Sequence, residues 1–393
     1  MSQLIKRILV SGYVRQNACT YIPNGIIQMI TLFAALIGYN NIIPCDVYSS
    51  DGKRKTPHAI KDVIDVIINR ESIFYICKNG GIYVSGNNAY GQLGTKHQSY
   101  GAGNTIIKPH NYAVKFMSKG INAFHTFIYT IDHKLYGCGA SDFNQLGIAL
   151  KKTSIHVPTL ITYPFDSKIT QISCGQNHSI FLTVRGSVYS AGANFKGETQ
   201  ITTNNDKQYI IHIKILNDIT FVDCGDNTSY CVDKNGVLYT FGNNAVGQLG
   251  IGNTEPVTDV QQVSDIKAEV LSAGYCHAGM ISRDNNVYTF GGNNRGQCGV
   301  GNYSDILRPS RININQALTV KSGNQHIIVK TLKGEFYSFG DNSYKQCCIN
   351  INDKKICKPT KIVPAHLMDI THNNAAIIDL IPGRNITYIL LER

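Results

Sequence analysis

Four histidines stand at matching positions in the chain, at spacings of roughly 50 or 100 residues. Histidine is the commonest metal ligand and a frequent general base, so a ring of such residues first suggests a zinc site. Zinc holds its ligands at about 2.0–2.1 Å, and side chains on separate repeats would lie too far apart to share one ion. Other residue types fill the same position elsewhere, which favours a hydrogen-bonding turn residue over a metal ligand. The histidines are His125, His178, His277 and His326, and the substitutes are Ser72, Thr228 and Ile386.

The cysteines form no recognisable metal or redox motif. Twelve are spread along the chain without a Cys-x-x-Cys pair, and Cys347 and Cys348 are adjacent. Several lie within apolar strand patterns, so we interpret them as buried free thiols of a protein in a reducing, intracellular compartment. The sequence also has no Gly-x-x-x-x-Gly-Lys-Ser/Thr loop and no recognisable Ser-His-Asp set. We therefore predict no catalytic residues, no bound metal and no cofactor.

The charge balance suggests an acidic partner. Lysine and arginine number 37 against 26 aspartates and glutamates, which gives a net charge of +11 and a pI near 9.0. Such an excess favours nucleic acid, an anionic membrane surface or an acidic protein, although scattered lysines that only maintain solubility would give the same total. The longest apolar stretch, residues 26–38, is too short to cross a bilayer, so we expect no membrane span.

A repeat must position these residues. A short apolar stretch, a tyrosine, two further residues and a glycine recur six times, with the glycines 49 to 53 residues apart. Each repeat has three turns rich in Gly or Asn. In each repeat one of these turns corresponds to Asn235-Gly236, a hairpin sequence whose turn residues need positive φ. Three turns imply four short strands, which is the composition of a propeller blade. The strings end at Gly86, Gly139, Gly192, Gly242, Gly291 and Gly340.

A glutamine or glutamate recurs in the loop after each of these glycines. A side chain with this reach is expected to hydrogen-bond the backbone of the loop between the third and fourth strands of each repeat. This would hold each loop in one conformation. The positions are Gln92, Gln145, Glu198, Gln248, Gln297 and Gln346.

The two ends of the chain predict ring closure. Residues 377–391 contain two strands, with Gly383 in the turn, and Ile8–Gly12 matches a third strand. The sequence therefore predicts an all-β, seven-bladed β-propeller of four-stranded blades, one domain over residues 1–393, whose last blade is closed by N- and C-terminal strands. Apolar residues after Pro23-Asn24-Gly25 predict a short helical insertion within residues 20–40. This helix could pack against the propeller or dock a partner.

The repeats resemble the regulator-of-chromosome-condensation (RCC1-like) repeat family. The fullest copy combines residues 174–179, Cys-Gly-Gln-Asn-His-Ser, with residues 186–192, Gly-Ser-Val-Tyr-Ser-Ala-Gly. Residues 87–94 and 243–250 each end in Gly-Gln-Leu-Gly. The resemblance implies a seven-bladed propeller that serves in nucleotide exchange on the GTPase Ran, in chromatin binding, or as a partner-binding module. No counterpart of the exchange factors' β-wedge is evident, and Glu198-Thr199-Gln200 replaces Gln-Leu-Gly in one repeat, so both departures count against Ran-type exchange.

Strand alternation predicts a binding face. Because blade strands run up and down, the first turn of each repeat and the loop between its third and fourth strands lie on the same face. Aromatic and arginine side chains occupy variable positions there, and these residue types are enriched in binding hot spots. Loops also vary when nothing constrains them, so that alternative stays open. The candidate partner-binding residues are Tyr90, Phe143, Asp226, Tyr275, Arg295, Tyr344 and Arg384, beside Arg70 and Phe195.

Three functions remain possible from the sequence. The first is a protein-binding scaffold or regulatory propeller, because a full propeller is present without a catalytic constellation. The alternatives are a guanine-nucleotide exchange factor for a small Ran-like GTPase and a chromatin- or nucleic-acid-associated protein. The predicted partner is an acidic protein, such as a small GTPase, or nucleic acid. We expect an intracellular monomer in the cytoplasm, the nucleus or both.

Overall fold

The computed structural model describes residues 45–49, 63–77, 81–96, 102–107, 113–148, 152–200, 210–255, 257–263, 266–349, 351–363 and 377–392. Within these ranges the regular elements are all β-strands, arranged in six four-stranded antiparallel sheets and one three-stranded sheet. The predicted all-β propeller is therefore confirmed. That the whole chain forms one domain stays a prediction.

Each four-stranded sheet is one blade, and its strands pair in chain order. We name the four strands A to D, with A innermost. The chain first forms β1 (Cys45–Ser49). Blade 1 contains β2 (Val63–Asn69), β3 (Ser72–Cys77), β4 (Ile82–Gly86) and β5 (Ala102–Ile107). Blade 2 contains β6 (Val114–Met117), β7 (His125–Thr130), β8 (Leu135–Ala140) and β9 (Ser154–Ile161). Blade 3 contains β10 (Ile169–Cys174), β11 (His178–Thr183), β12 (Val188–Gly192) and β13 (Ile211–His212).

The next three blades follow the same plan. Blade 4 contains β14 (Ile219–Cys224), β15 (Thr228–Asp233), β16 (Leu238–Gly242) and β17 (Gln261–Val263). Blade 5 contains β18 (Ala268–Ala273), β19 (His277–Ser282), β20 (Val287–Gly291) and β21 (Ile306–Arg311). Blade 6 contains β22 (Ala317–Ser322), β23 (His326–Thr331), β24 (Phe336–Asp341) and β25 (Lys355–Ile362). The chain ends with β26 (Ile377–Pro382) and β27 (Thr387–Glu392).

The three-stranded sheet corrects the predicted fold class. Its order is β1-β27-β26, with Val47 opposite Leu390, so the strand that meets the C-terminal pair is Cys45–Ser49. The prediction of seven four-stranded blades with a helical insertion is wrong: the described residues form six blades and no helix. Residues 8–12 and 20–40, where the closing strand and the helix were predicted, lie outside the described ranges. A strand pattern shows that a segment can pair, whereas its neighbour is chosen by tertiary proximity.

A glycine at the end of each C strand explains the strongest signal in the repeat. Gly192 has φ of 108°, and a Cβ added there would lie 2.4 Å from the carbonyl oxygen of Asn177. Only glycine fits this close approach of two backbones without strain. In the B–C hairpins, Gly236 (φ 83°) and Asn285 (φ 61°) have the positive φ that the hairpin prediction required.

The hydrophobic core lies between neighbouring blades. Phe127 of blade 2 and Phe181 of blade 3 are both fully buried, with ring centroids 5.1 Å apart in an edge-to-face arrangement. The B strands are buried along their length because each has a blade on both sides, as in β7 and β11. Each blade therefore depends on its neighbours for stability, and the ring presents its turns on two rigid faces.

Candidate partner-binding face

The strand directions divide the surface into two faces. The front face consists of the A–B turns and the C–D loops, and the back face consists of the B–C hairpins and the connections from strand D to the next blade. The innermost strands approach one another at the axis, where parallel bridges join Asn69 to Gly120 and Lys119 to Ser173. The A–B turns of all blades therefore converge at the centre of the front face.

A chain of backbone hydrogen bonds links these turns around the axis. The N–H of Gln176 donates to the carbonyl oxygen of Asp226 at 2.9 Å, and the N–H of Asp226 donates to that of Tyr275 at 3.3 Å. The N–H of Tyr275 donates to Asn324 at 3.1 Å, and that of Asn324 donates to Gly383 at 3.3 Å. Successive turns from blade 3 to the three-stranded sheet are thereby joined in one arc, which holds their backbones in place.

Charged residues from distant parts of the chain meet at this centre. We call Arg70, Glu71, Asp226, Tyr275 and Arg384 the central cluster. Arg384 Nη1 and Glu71 Oε1 form a partly exposed ion pair at 3.0 Å. Burial raises the pKa of Asp226 to about 6, although Arg70 and Arg384 act to lower it. Burial and the charge of Arg384 lower the pKa of the Arg70 guanidinium. The two arginines and the two carboxylates of the cluster therefore balance in formal charge, and both arginines act on Asp226.

Two exposed groups of aromatic residues flank the central cluster. The Arg70 guanidinium lies 3.9 Å from the ring centroid of Phe124, and Phe124 packs against Tyr90 at 4.8 Å. Phe143 and Phe195 pack edge to face at 5.3 Å, and both remain exposed. Aromatic surface held on rigid loops binds at low entropic cost. Tyr90 is thus joined to the centre of the face through Phe124 and Arg70.

The remaining candidate residues lie on the C–D loops. On these loops Tyr344 is 66% exposed and Arg295 is half-buried. Tyr275, which lies on an A–B turn in the central cluster, is 44% exposed. The backbone N–H of Arg295 donates to Gln297 Oε1 at 2.8 Å, and that of Tyr344 donates to Gln346 at 2.8 Å. The predicted role of the recurring glutamine in bonding the loop backbone is therefore confirmed.

The structure groups only some of the predicted residues. Asp226, Tyr275 and Arg384 come together in the central cluster, and Tyr90 reaches it through Phe124. The other predicted residues stand on separate loops of the same face, and their role in binding stays a prediction. They are Phe143, Arg295 and Tyr344.

Sequence reasoning missed Glu71 and Phe124. Both occupy the position directly before the recurring histidine, which holds asparagine in Asn177 and Asn227. The departure from asparagine was the available signal. The importance of these two residues is evident only in the folded ring, which places Glu71 beside Arg384 and Phe124 beside Arg70.

The recurring histidines join neighbouring blades. His125 Nε2 lies 2.7 Å from Ser179 Oγ in the next blade, and Ser179 Oγ donates its hydrogen to the carbonyl oxygen of Gln145 at 2.8 Å. Since the serine hydrogen is used, the histidine must donate from Nε2–H. The same relay recurs for His178, Ser229 and Glu198, and for His326, Thr387 and Gln346.

The fourth histidine shows that the relay requires a hydroxyl side chain in the next blade. Ile327 occupies the position of the hydroxyl residue beside His277, and both ring nitrogens of His277 lack a hydrogen-bond partner. Burial lowers the pKa of His125 to about 3 and that of His178 to about 4, so these rings are neutral. The predicted hydrogen-bonding role is confirmed for three histidines, but the partner is the next blade and not the turn itself.

Ten cysteines between Cys77 and Cys357 are buried or half-buried free thiols. Burial raises the pKa of Cys138 and Cys174 to about 12. Within the described ranges, no set of three or more His, Cys, Asp or Glu side chains is arranged to hold a metal ion. The described part of the chain contains no helix with the length and hydropathy needed to cross a membrane.

Comparison with known proteins identifies relatives of this fold. The RCC1-like domain matches residues 125–390. The human protein named probable E3 ubiquitin-protein ligase HERC4 is 28% identical over 149 residues, which cover 37% of this chain and 14% of that protein. The guanine nucleotide exchange factor SRM1 of Saccharomyces cerevisiae is 26% identical over 167 residues, which cover 40% of this chain and 34% of SRM1. The matched stretches thus span a minor part of these relatives.

A solved structure shows the same architecture. The crystal structure of Prp20p from Saccharomyces cerevisiae, described with its binding properties to Gsp1p and histones, superposes with a TM-score of 0.76. The match covers 90% of this chain and 92% of Prp20p at 16% sequence identity. At this identity the likeness concerns the fold alone.

Proposed function

The chain belongs to the RCC1-like domain family, and we propose that it is a protein-binding propeller that engages an acidic partner protein through its front face. The central cluster is the observation that carries this proposal. Arg384 and the exposed Tyr275 lie on turns that backbone hydrogen bonds join, and Arg70 lies over Phe124, which packs against the exposed Tyr90. Arginine and tyrosine on a rigid, partly apolar surface are the residues that most often dominate binding energy.

The charge of the chain supports the acidic character of the partner. The net charge is +11, and at the centre of the front face Arg70 and Arg384 face Asp226 and Glu71. A positive surface speeds the encounter with an acidic protein and makes the association sensitive to salt. Of the candidate residues, Tyr275 and Arg295 offer the cleanest test, because neither side chain is fully buried.

Affinity capture with three forms of the protein tests the proposal. The first form is unchanged, the second carries Tyr275→Ala and Arg295→Ala, and the third carries Leu332→Ala and Lys333→Ala on the back face. Both variants lose one positive charge and one large side chain. Partners identified by mass spectrometry with the unchanged protein should bind the front-face variant more weakly by at least about 2 kcal/mol, roughly thirtyfold. If the back-face variant loses the partners and the front-face variant keeps them, the assigned face is wrong.

Guanine-nucleotide exchange is the second candidate function. It is supported by the match to SRM1 and by the fold shared with Prp20p, which is described with its binding to Gsp1p. The measurement is release of fluorescent GDP from Gsp1p and from other small GTPases upon addition of this protein. Acceleration that is lost with Tyr275→Ala and Arg295→Ala would make exchange the leading function and the GTPase the partner.

Association with chromatin is the third candidate, supported by the net charge and by the description of Prp20p with histones. Binding to labelled duplex DNA and to histones is measured from 50 to 300 mM salt. Phosphate contacts give an affinity that falls steeply as salt rises, so weak binding with a shallow slope would dismiss the nucleic-acid alternative. An intracellular location and a monomeric state complete the proposal, and the free thiols support the former.

A further inference from the structure

A groove lies on the back face between blades 2 and 3, away from the central cluster. Its volume is about 730 Å³. The buried residues Tyr129, Leu135 and Ile169 form its floor, and Tyr163 and Phe165 stand in the connection from β9 to β10. This connection, residues 162–168, is longer than the corresponding connections 213–218 and 312–316.

The aromatic residues of this connection are less buried than most apolar residues of the matching connections. Ile213 and Leu216 in connection 213–218 are buried although Ile215 is exposed, and Ile312 and Ile314 in connection 312–316 are buried. Tyr163 and Phe165, by contrast, are only half-buried, and Leu160 at the rim is exposed.

The hairpins beside the groove extend this surface. Ile131 is 58% exposed and Val184 is 65% exposed in the hairpins of blades 2 and 3. Exposed apolar residues grouped beside a groove mark an interaction site more often than scattered surface residues do.

The aromatic walls are held in place before any ligand arrives. Phe165 packs edge to face against Tyr163 at 4.9 Å and against Tyr189 at 5.0 Å. The Tyr129 hydroxyl accepts a hydrogen bond from the N–H of Ile169 at 3.2 Å, and the Tyr189 hydroxyl accepts one from Asp166 at 3.2 Å. A preformed groove loses little conformational entropy when it binds.

The rim carries lysines beside a carboxylate, Asp166, whose oxygens accept hydrogen bonds from Ser167 and Ser187. His133 lines the groove, and loss of hydration together with the positive charges of Lys168 and Lys115 lowers its pKa. Asp132, the acidic residue nearest to His133, is already paired with Lys134 at 2.9 Å. Among the described residues, no carboxylate forms an ion pair with Lys115 or Lys168. The rim therefore offers two lysines to an acidic group.

We propose that this groove docks a short extended segment of a partner protein in which a carboxylate stands beside an aromatic or aliphatic side chain. The carboxylate lies between Lys115 and Lys168, and the apolar side chain packs against Tyr163, Phe165 and Leu160. This site is independent of the proposed front-face function, because it uses the opposite face and different residues.

A peptide fits this groove better than a nucleic acid. Tyr163 and Phe165 pack against each other and against Tyr189, which leaves less ring surface for a base to stack on. The rim residues Ile131, Leu160 and Val184 are aliphatic, which suits the side chains of a peptide. Two lysines also neutralise fewer charges than a phosphate backbone brings.

Selection of phage-displayed random 12-residue peptides on the unchanged protein tests the proposal. The expected consensus has Asp or Glu next to an aromatic or aliphatic residue. A labelled consensus peptide, measured by fluorescence anisotropy, should bind the Lys115→Glu and Lys168→Glu double variant at least about tenfold more weakly. A peptide in which lysine replaces the acidic residue should regain affinity for that variant.

Two controls make the result decisive. The front-face variant with Tyr275→Ala and Arg295→Ala should bind the peptide as the unchanged protein does. Lys168→Gln, with its melting temperature measured, replaces the charge reversal if that variant unfolds. Selected peptides that lack acidic residues, or whose binding ignores the groove variants, would overturn the proposal. So would a labelled oligothymidylate whose binding depends on Lys115 and Lys168 when no peptide binds there.

Discussion

Replacing Ser179 by alanine should reveal how the blades are joined. Ser179 is fully buried, accepts a hydrogen bond from His125 Nε2 at 2.7 Å and donates one to the carbonyl oxygen of Gln145 at 2.8 Å. Ser179→Ala removes both bonds and leaves the buried His125 N–H without an acceptor. Such a group costs about 1–3 kcal/mol, and the weakened Gln145 carbonyl adds to it. We expect the free energy of unfolding to fall by about 2–4 kcal/mol in total.

The chain itself supplies the control. In blades 4 and 5 the two positions hold Thr228 and Ala278, a pair that has no histidine N–H to satisfy. The double variant His125→Thr with Ser179→Ala copies this natural pair. Its destabilisation should be smaller than the sum of the two single changes by about 1–3 kcal/mol, because the stranded N–H is absent.

Equilibrium urea unfolding measures these quantities. Circular dichroism and tyrosine fluorescence are followed together, and coincident transitions justify a single free energy for each variant. The reasoning is refuted if the single and double variants add within about 0.5 kcal/mol, the limit expected of independent sites. It also fails if Ser179→Ala alone changes the stability by less than that amount.

Two further predictions concern pH and the hairpins. The buried histidines have pKa values lowered to between about 3 and about 4, so they stabilise the fold fully above pH about 6.5. As the pH falls below that value, the unfolded chain binds protons that the folded chain does not, and each histidine costs up to about 1.4 kcal/mol per pH unit. Asp226, with a pKa raised to about 6, acts in the opposite direction, so Asp226→Asn should steepen the loss of stability as the pH falls. Urea midpoints that stay level from pH 7.5 to 4.5 would contradict this. Gly236→Ala should cost at least about 1 kcal/mol more than Gly334→Ala, because both have φ near 80° but only at Gly236 would the new Cβ lie 2.9 Å from the Ala268 carbonyl oxygen. Equal melting temperatures for Gly236→Ala and Gly334→Ala would show that the contact with Ala268, and not φ, was misjudged. Asn285→Gly should be nearly neutral in the same assay.

The sequence by itself determined the blade. Glycine at the end of each C strand and Gly, Asn or His at the positive-φ position of the B–C hairpins reflect backbone conformations that depend on a few neighbouring residues, as Gly192, Asn285 and His133 show. The glutamine that bonds its own loop is equally local, since Gln297 reaches Arg295 only two residues away. Such features repeat with the chain and can be read from it, which is why the propeller and its front face were predicted.

Only the tertiary structure decided which segments meet. The strand beside β27 is Cys45–Ser49, although Ile8–Gly12 matched the repeat pattern, because many short apolar segments can pair and proximity selects one. The central cluster joins Arg70 to Arg384 and Asp226 because every A–B turn points at the axis once the ring closes. The histidines show the same division: each recurs in register, but its hydroxyl partner belongs to the next blade and is absent at Ile327. Contacts between residues 50 to 300 positions apart depend on ring closure, and no local pattern encodes that geometry.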